Sequence, residues 1–375
     1  MAPIRVGLIG LSSVNTGGIR AGEWGLQHLL SIQSSPHFEL VAVCNSTLES
    51  AQRAIEFHKI PSTVKPYGSA EEIARDPNVD LVSVVVHVDK HYDLVKPVLQ
   101  QKKNILIEFP ATPSVTLTAE LAALARDAGV LAVIGSQGRS DPAIRKLKEL
   151  VDDKVVGDLV SSTSMGHIPM VVSEHWPQWQ SGFLDFDSSI SRNNIVLGHV
   201  LDCFISVLGS FETVQAVFKT QEKTAKLVDD EGNVVDPNYR VTSAGTMLIQ
   251  GVVEGGAAAS VQLRSSTSSV DGFGQRWIIS GTEGEIIFTG GPGFLNFGLP
   301  GQKIMVKKWS EEPEEVSFAC EESEHYGETG LMSKNTLRLY DAIAKGETDA
   351  YATIEQSLQT QELIEIIKSS VTGIL

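Results

Sequence analysis

A histidine in an apolar stretch is a residue of this sequence that could do acid–base chemistry. His199 lies in segment 198–204, GHVLDCF, whose spacing predicts a helix packed on a core. An imidazole titrates near neutrality, and general acid–base help is worth on the order of 10²- to 10⁴-fold in rate. The alternative is a core histidine with a purely structural role. Asp202, in the same segment, is a candidate lining residue of a substrate pocket.

The end of the first strand-like run could hold a dinucleotide. The run Ile4–Ile9 leads to Gly10, then to a loop and a helix-forming segment, the arrangement in which a pyrophosphate meets backbone N–H groups at a helix N-terminus. The glycine spacing is irregular: Ser12 and Asn15 occupy the expected glycine positions, and glycines follow at 17, 18 and 22. A tight turn without a ligand is the alternative. The cofactor-binding candidates here are Gly10, Leu11, Ser12 and Ser13.

The end of the second strand-like run bears on the choice between NAD and NADP. An acidic residue there would hold the ribose hydroxyls of NAD, but the segment after Cys44 reads Asn45-Ser46-Thr47. No carboxylate would repel a 2′-phosphate, so NADP is allowed, although no arginine supplies a positive counterpart. We expect NADP or NAD, with a preference for NADP, and we take Asn45 and Ser46 as cofactor-binding candidates.

Two tryptophans form a third group of candidates. Trp176 and Trp179 lie in a proline-containing segment without periodicity, which predicts a loop. Such aromatic side chains could form one wall of a substrate pocket. They could equally cover a hydrophobic core.

Apolar runs of strand length alternate with helix-length segments over residues 1–137, which predicts a doubly wound parallel sheet in a Rossmann domain. The predicted strands are Ile4–Ile9, Phe38–Cys44, Leu81–Val86, Asn104–Ile107 and Leu131–Ile134. The predicted helices are Gly25–Gln33, Leu48–His58, Ser69–Arg75, His91–Gln101 and Thr116–Ala128.

Residues 138–375 have a different pattern, which predicts an α+β domain with a large, mainly antiparallel open sheet. The predicted strands are Asp158–Met165, Thr213–Thr220, Ala244–Val252, Ala257–Arg264, Gln275–Ser280 and Glu285–Phe288. Helices are predicted at Pro142–Val151, Ser333–Lys345 and Thr353–Ser370. Residues 229–233 read as a hairpin turn and 265–274 as a mobile loop.

Composition and charge limit the binding partners and the cellular compartment that we expect for this protein. The net charge of −16 and the absence of any Lys/Arg run argue against direct nucleic-acid binding. Three scattered cysteines suggest neither disulfides nor zinc, and the histidines at 167, 175 and 199 match no metal-ligand spacing. The N-terminus reads as a strand rather than a signal peptide, and no apolar run is long enough to span a membrane. We expect a soluble cytoplasmic protein, or a nuclear one if it is a regulator.

Several segments together resemble the glucose-fructose oxidoreductase and inositol dehydrogenase family (Gfo/Idh/MocA). They are the first strand, residues 80–86 leading to His91, residues 107–110, Gly198-His199 with Asp202, residues 281–284 and the closing helices. Gln137-Gly138-Arg139 and Trp24 are similar to the branch that contains fungal galactose-pathway repressors. The resemblance implies NAD(P) binding, a homodimer or higher homo-oligomer, and these further cofactor-binding candidates: His87, His91, Glu108, Phe109, Pro110 and Gln137.

The sequence departs from the dehydrogenases of that family at two catalytic positions. Phe109 stands where their Glu-Lys-Pro motif has lysine, and Ile195 stands where they have an aspartate four residues before the histidine. Phenylalanine can neither donate nor accept a proton. The resemblance therefore leaves His199 as the one catalytic candidate.

Three functions agree with these observations. The first is an NAD(P)-dependent oxidoreductase acting on a small molecule, such as a sugar-like or secondary-metabolite ketone, alcohol or activated double bond. The second is a catalytically silent NAD(P)-binding regulator of transcription or metabolism that contacts a protein partner. The third is a redox-neutral enzyme that keeps its cofactor tightly bound.

Overall fold

The structure of this 375-residue protein is a computed structural model that describes residues 2–14, 24–167, 175–266, 269–270, 272–291, 298, 301–318 and 333–372. Asn15 and the loop glycines at 17, 18 and 22 lie outside the described residues, as do 267, 268 and 271 of the predicted loop 265–274. Within the described part of the chain, no helix is long and apolar enough to cross a membrane.

The elements follow one another in this order. The strands are β1 Ile4–Ile9, β2 Phe38–Cys44, β3 Lys65–Tyr67, β4 Leu81–Val84, β5 Asn104–Ile107, β6 Ala132–Ile134, β7 Leu159–His167, β8 His175–Pro177, β9 Phe211–Lys219, β10 Thr224–Val228, β11 Val234–Arg240, β12 Thr246–Val253, β13 Ala258–Arg264, β14 Gln275–Gly281, β15 Gly284–Gly290, β16 Lys303–Lys308, β17 Glu314–Val316 and β18 Ala352–Thr353. The α-helices are α1 Trp24–Ser34, α2 Leu48–Phe57, α3 Ala70–Arg75, α4 His91–Gln100, α5 Val115–Ala128, α6 Pro142–Asp152, α7 Leu197–Leu208, α8 Lys334–Lys345 and α9 Ile354–Ser369.

The chain forms two compact units, and the first contains the described residues of 1–140 and 321–361. Its seven-stranded sheet has the order β18-β6-β5-β4-β1-β2-β3. Neighbouring strands are parallel except for the two-residue strand β18, which runs antiparallel to β6. The central strands are apolar because helices cover both faces of a parallel sheet. The predicted Rossmann fold is confirmed.

The first unit also takes in a part of the chain that the sequence analysis assigned to the second domain. Tyr340 of α8 is fully buried and belongs to the same core cluster as Val6, Leu81 and Leu106 of the sheet. Its ring meets that of Phe38 edge to face at 5.1 Å. The core of the first sheet thus needs a helix that lies more than 200 residues further along the chain.

Local signals explain why the helices begin and end where they do. Ser114 caps α5 by accepting a hydrogen bond from the Leu117 amide, and Gly129 ends that helix in a left-handed conformation at φ 67°. Thr47 and Ser50 form a reciprocal capping box at the start of α2. These short-range signals are the reason that the predicted helices agree with the observed ones to within about two residues.

The second unit contains the described residues of 141–320 and 362–375. Its eight-stranded sheet has the order β17-β16-β15-β14-β7-β13-β12-β9, and every neighbouring pair is antiparallel except β7 with β13. A separate three-stranded sheet has the order β11-β10-β8. The predicted turn at 229–233 joins β10 to β11, where Gly232 has φ 86°. The predicted large, mainly antiparallel sheet is confirmed.

A buried carboxylate ties β3 to the end of α3. Asp76 accepts hydrogen bonds from Tyr67 Oη at 2.7 Å, Lys65 Nζ at 3.1 Å and the Asn78 amide at 2.8 Å. Desolvation alone would raise the pKa of Asp76, but these hydrogen bonds outweigh it and lower the pKa to about 2. The charged form is therefore stabilised by folding.

We expect Asp76→Asn to lower the free energy of unfolding by about 2 kcal/mol at neutral pH. Because the pKa is depressed, this contribution is fully present above the model-peptide value of 3.8 and is lost as the pH falls through about 2. Urea denaturation at several pH values measures it. Asp158→Asn is the control, since Asp158 is an exposed carboxylate paired with Lys154. An equal effect of both variants at every pH would contradict the prediction.

Candidate functional site

The carboxyl edge of the first sheet has a close backbone cradle at the end of β1. The strand order changes direction between β1 and β4, which makes this the switch point where dinucleotides bind in such folds. Gly10 has φ 99°, and a Cβ there would overlap the carbonyl oxygen of Val85. A Cβ on Gly25, in the first turn of α1, would overlap the carbonyl oxygen of Gly10. Only glycines allow the strand end and the helix to approach so closely.

Asn45 fastens the start of the loop after β1 to the end of β2. Its Oδ1 accepts from the Leu11 amide at 3.0 Å, and its Nδ2 donates to the carbonyl oxygens of Leu11 at 2.8 Å and Ser50 at 3.1 Å. The Ser12 carbonyl accepts from His58 Nε2 at 2.7 Å, and Ser13 is half-buried. The Asn45 side chain thus holds the loop through the Leu11 backbone. The Leu11 side chain is buried and apolar, so it offers no hydrogen bond to a ligand.

We expect Asn45→Ala to raise the dissociation constant of NADH about tenfold, because three lost hydrogen bonds release the loop that must meet the pyrophosphate. Fluorescence titration with NADH measures the effect. Asn104→Ala is the matched control: Asn104 holds the Leu131 amide at 3.0 Å at the opposite edge of the same sheet. Both variants should melt at lower temperature. Equal NADH affinity in the two variants would contradict the prediction.

The end of β2 lies in an acidic environment. Ser46 is exposed. Burial, with Glu72 and then Glu71, raises the pKa of the Cys44 thiol to about 12. A cavity of about 650 Å³ opens beside this strand end and is lined by Thr47, Leu48, Pro66, Tyr67, Gly68, Ser69, Glu72 and Arg75. The exposed Arg75 is the one cation among the lining residues that the structure describes.

His91 acts as a brace in this structure. It is buried, and its Nε2 lies 3.0 Å from the Val86 carbonyl oxygen while its Nδ1 lies 3.1 Å from that of Pro110. Burial lowers the pKa of His91, whereas the hydrogen bonds to these carbonyl oxygens raise it, and burial is the larger effect. His87, by contrast, is exposed, with Nδ1 3.3 Å from the Asp89 carboxylate.

Two buried polar atoms at the carboxyl edge have no hydrogen-bond partner within the described part of the chain. They are Ser136 Oγ and Gln137 Oε1, directly after β6. Glu108 follows the neighbouring strand β5 and is half-buried, whereas Phe109 and Pro110 are buried. Buried polar atoms are normally satisfied, so a ligand with hydroxyl or amide groups fits this edge. Gly10, Glu108 and Gln137 are thus brought to one edge, as a dinucleotide site requires.

The second unit carries His199 and Asp202 on α7, one turn apart on the same side of the helix. Phe204, about 140° around the helix from His199, stacks on Trp277 at 5.3 Å and anchors α7 to the large sheet. His199 and Asp202 are both buried. Ile195 lies in the single π-helical turn Arg192–Val196 that leads into α7.

The two tryptophans differ in local structure and in exposure. Trp176 is 5% exposed and lies in β8, next to Leu227 of β10. Trp179 is 37% exposed. The loop expectation was wrong for Trp176, because pairing with a distant strand makes a three-residue strand that periodicity cannot reveal.

Sequence reasoning missed two residues of this edge, His28 and Tyr340. His28 is fully buried in α1, and its Nε2 lies 2.8 Å from Glu108 Oε1. A polar residue on the apolar face of the first predicted helix was the available signal. Tyr340 offered no signal, since it lies far along the chain.

The described residues contain no cluster of three or more His, Cys, Asp or Glu that could hold a metal ion.

Each of the two units matches a known protein family. Residues 4–136 match the family described as "Oxidoreductase family, NAD-binding Rossmann fold", and residues 142–290 match "Gal80p, C-terminal domain". The chain is 28% identical over 305 residues to the galactose/lactose metabolism regulatory protein GAL80 of Kluyveromyces lactis, covering 78% of this chain and 65% of that protein. It is 25% identical to the dehydrogenase aclE of Aspergillus oryzae, covering 99% and 97%.

Solved structures agree with this fold. A super-repressor mutant of Gal80p from Saccharomyces cerevisiae superposes with a TM-score of 0.82 at 21% identity, covering 98% of this chain and 96% of that one. A levoglucosan dehydrogenase in complex with NADH and L-sorbose superposes with a TM-score of 0.74 at 17% identity, covering 99% and 97%. The relatives therefore include both regulators and dehydrogenases. The first unit thus has a Rossmann domain that matches the Gfo/Idh/MocA oxidoreductase family, and residues 142–290 match the C-terminal domain of Gal80p.

Proposed function

We propose that the chain is a nicotinamide-dinucleotide-dependent oxidoreductase that acts on a small molecule: a sugar-like or secondary-metabolite ketone, alcohol or activated double bond. The observation that carries the proposal is the carboxyl edge of the first sheet, which holds both the Gly10 cradle and two buried polar atoms that have no hydrogen-bond partner among the described residues. Similarity to a dehydrogenase over 99% of this chain supports the reaction type. The cofactor would be held by Gly10, Glu108 and Gln137, with Ser46 at the adenosine end.

The chemistry needs one group of the chain to move a proton. When bound, the nicotinamide exchanges a hydride with a substrate carbon. Oxidation of an alcohol also releases the hydroxyl proton, and reduction of a ketone consumes one, so a base or acid must complete the balance. His91 is committed to backbone carbonyls, and Phe109 can carry no proton. His199 is the residue that we assign to this proton, with Asp202 on the same face of α7.

We propose NAD as the preferred cofactor over NADP. The absence of an acidic residue directly after β2 allows either, and NADP was the expectation from the sequence. Glu71 and Glu72, however, act electrostatically on Cys44 at this strand end, and among the described residues that line the cavity Arg75 is the one positive charge that opposes them. A 2′-phosphate would add charge of the same sign as the carboxylates. NADH should therefore bind more tightly than NADPH in parallel titrations at low salt.

The second candidate function is a regulator that binds the dinucleotide without turnover and contacts a protein partner. Phe109 and Ile195 favour it, because they replace two polar groups that the family's dehydrogenases use. The K. lactis regulator to which the chain is 28% identical supports it as well. A regulator could act in the nucleus.

For assembly and location we propose a homodimer or higher homo-oligomer in the cytoplasm. The outward face of the large sheet carries Val217 and Leu248 side by side on β9 and β12, 43% and 41% exposed. Exposed apolar neighbours on an open sheet are suited to a subunit contact. Cys44 and Cys203 are not joined in a disulfide, as a reducing compartment allows.

A turnover screen tests the proposal. Purified protein is incubated with NADH or NADPH and with panels of ketones, enones, imines and sugars, while absorbance and product mass are followed. Turnover of any panel member supports the enzyme. Tight cofactor binding without turnover in either direction supports the regulator. No binding of any nicotinamide dinucleotide would contradict both.

A further inference from the structure

Four polar side chains, three of them fully buried and the fourth half-buried, form a continuous hydrogen-bond chain that ends at the cofactor edge. Ser83 Oγ lies 2.8 Å from Tyr340 Oη, Tyr340 Oη lies 3.0 Å from His28 Nδ1, and His28 Nε2 lies 2.8 Å from Glu108 Oε1. Ser83, His28 and Tyr340 are fully buried. This hydrogen-bond chain links β4, α8, α1 and the end of β5 within the first unit.

One assignment of hydrogen-bond directions satisfies every donor and acceptor in this row of four side chains. A carboxylate only accepts, so Nε2 of His28 must donate to Glu108. In the tautomer that carries its hydrogen on Nε2, Nδ1 accepts from the Tyr340 hydroxyl, whose oxygen accepts from Ser83. Burial raises the pKa of Tyr340 well above its ordinary value, which keeps the hydroxyl protonated as this order requires. Tyr340 thereby selects the tautomer of His28 that serves Glu108.

Packing holds each member of the chain in place. The Tyr340 ring lies edge to face against Phe38 at 5.1 Å and against His28 at 5.7 Å. Gly135 leaves room for the carboxyl group, since a Cβ there would overlap the Glu108 oxygens. The His28 bond occupies Oε1, and no described residue donates to Oε2. Oε2 is therefore the oxygen left to accept a hydrogen bond from a ligand.

We propose that His28 and Tyr340 are positioning residues for the dinucleotide: they fix the Glu108 carboxylate so that Oε2 can accept from a hydroxyl or amide group of the bound cofactor. The proposal rests on the proposed cofactor binding. Neither residue touches the cofactor in this role; both act through Glu108. A fixed acceptor avoids the loss of side-chain freedom that binding would otherwise require.

The test uses variants that remove one hydrogen bond each. Tyr340→Phe keeps the ring and removes the hydroxyl. Ser35→Ala is the matched control, because Ser35 Oγ donates to Asp341 Oδ1 at 2.7 Å and so also links the end of α1 to α8 in the buried interior. We expect both to lower the melting temperature. Only Tyr340→Phe should raise the dissociation constant of NADH, by about three- to tenfold.

A second pair of variants separates positioning from packing. His28→Leu fills the space without polar atoms, whereas His28→Gln supplies one donor and one acceptor in the same order. Affinity for NADH should fall in His28→Leu and recover in His28→Gln. Combining Tyr340→Phe with Glu108→Gln should cost no more affinity than Glu108→Gln alone, because both changes act on one contact.

The outcomes separate this inference from the proposed function. If the unaltered protein binds no nicotinamide dinucleotide, the proposed function is wrong. If it binds NADH and Tyr340→Phe binds it as tightly as Ser35→Ala does, the positioning role is overturned. Additive losses in the Tyr340→Phe, Glu108→Gln double variant would overturn it as well.

Discussion

Replacing His199 by alanine is expected to lower kcat by about 10²- to 10⁴-fold on any substrate that the turnover screen finds, the range that general acid–base catalysis supplies. The dissociation constant of NADH should change less than twofold. The reason is the scarcity of proton-moving groups: His91 is held by backbone carbonyls, Glu108 is held by His28, and Phe109 replaces the family's lysine. Steady-state kinetics and a fluorescence titration measure the two quantities.

Cys203→Ala is the matched control for His199→Ala. Cys203 lies on the same helix, one turn further on, and is also buried. It has no proposed role in chemistry, so that kcat should stay within about twofold of the unaltered protein. Partial recovery of His199→Ala activity by added imidazole would strengthen the assignment. Unchanged turnover in His199→Ala would remove this residue from the mechanism.

Replacing Gly10 by alanine is expected to lower NADH affinity by more than about 100-fold and the free energy of unfolding by about 2–5 kcal/mol. Two costs combine. Gly10 has φ 99°, where an L-residue is strained, and its Cβ would overlap the Val85 carbonyl oxygen. Because Val85 also donates to the Ile9 carbonyl at 2.9 Å, the overlap forces β1 and β4 apart where the pyrophosphate should bind.

Gly129→Ala separates strain from collision. Gly129 also has a positive φ, 67°, but a Cβ there meets nothing within 4 Å. This control should lose about 1–2 kcal/mol of stability and keep its NADH affinity. Calorimetry and NADH titration of both variants measure the difference. If Gly10→Ala still binds NADH as tightly as Gly129→Ala, the cradle at the end of β1 does not hold the dinucleotide.

Short-range patterns predicted much of the first unit. β1, β2 and β5 begin and end at the predicted residues, because buried parallel strands are apolar throughout and are bounded by polar or turn residues. β4 ends at Val84 rather than at the predicted Val86. Periodicity cannot locate the last pairing residue of a strand that continues as an apolar loop.

Several strands and one pairing escaped prediction. Residues 229–233 were expected to form a hairpin turn, but no ranges were predicted for the flanking strands β10 and β11, or for β16 and β17. The parallel pairing of β7 with β13 was not foreseen in a sheet expected to be mainly antiparallel. Short strands acquire their geometry from neighbouring strands as well as from intrinsic preference. Helix α8 was likewise expected in the second domain, although Tyr340 completes the core of the first.

By itself, the sequence determined the fold class, the Gly10 turn and the family motifs around Glu108 and His199, because these depend on residue type and on spacing along the chain. The tertiary structure alone decided what the polar side chains do. In the folded chain, Asn45 is hydrogen-bonded to the loop after β1, and both ring nitrogens of His91 lie beside backbone carbonyl oxygens. Glu108 is connected through His28 to Tyr340. A hydrogen bond depends on distance and direction in space, and residues separated by tens or hundreds of positions acquire these only when the chain folds.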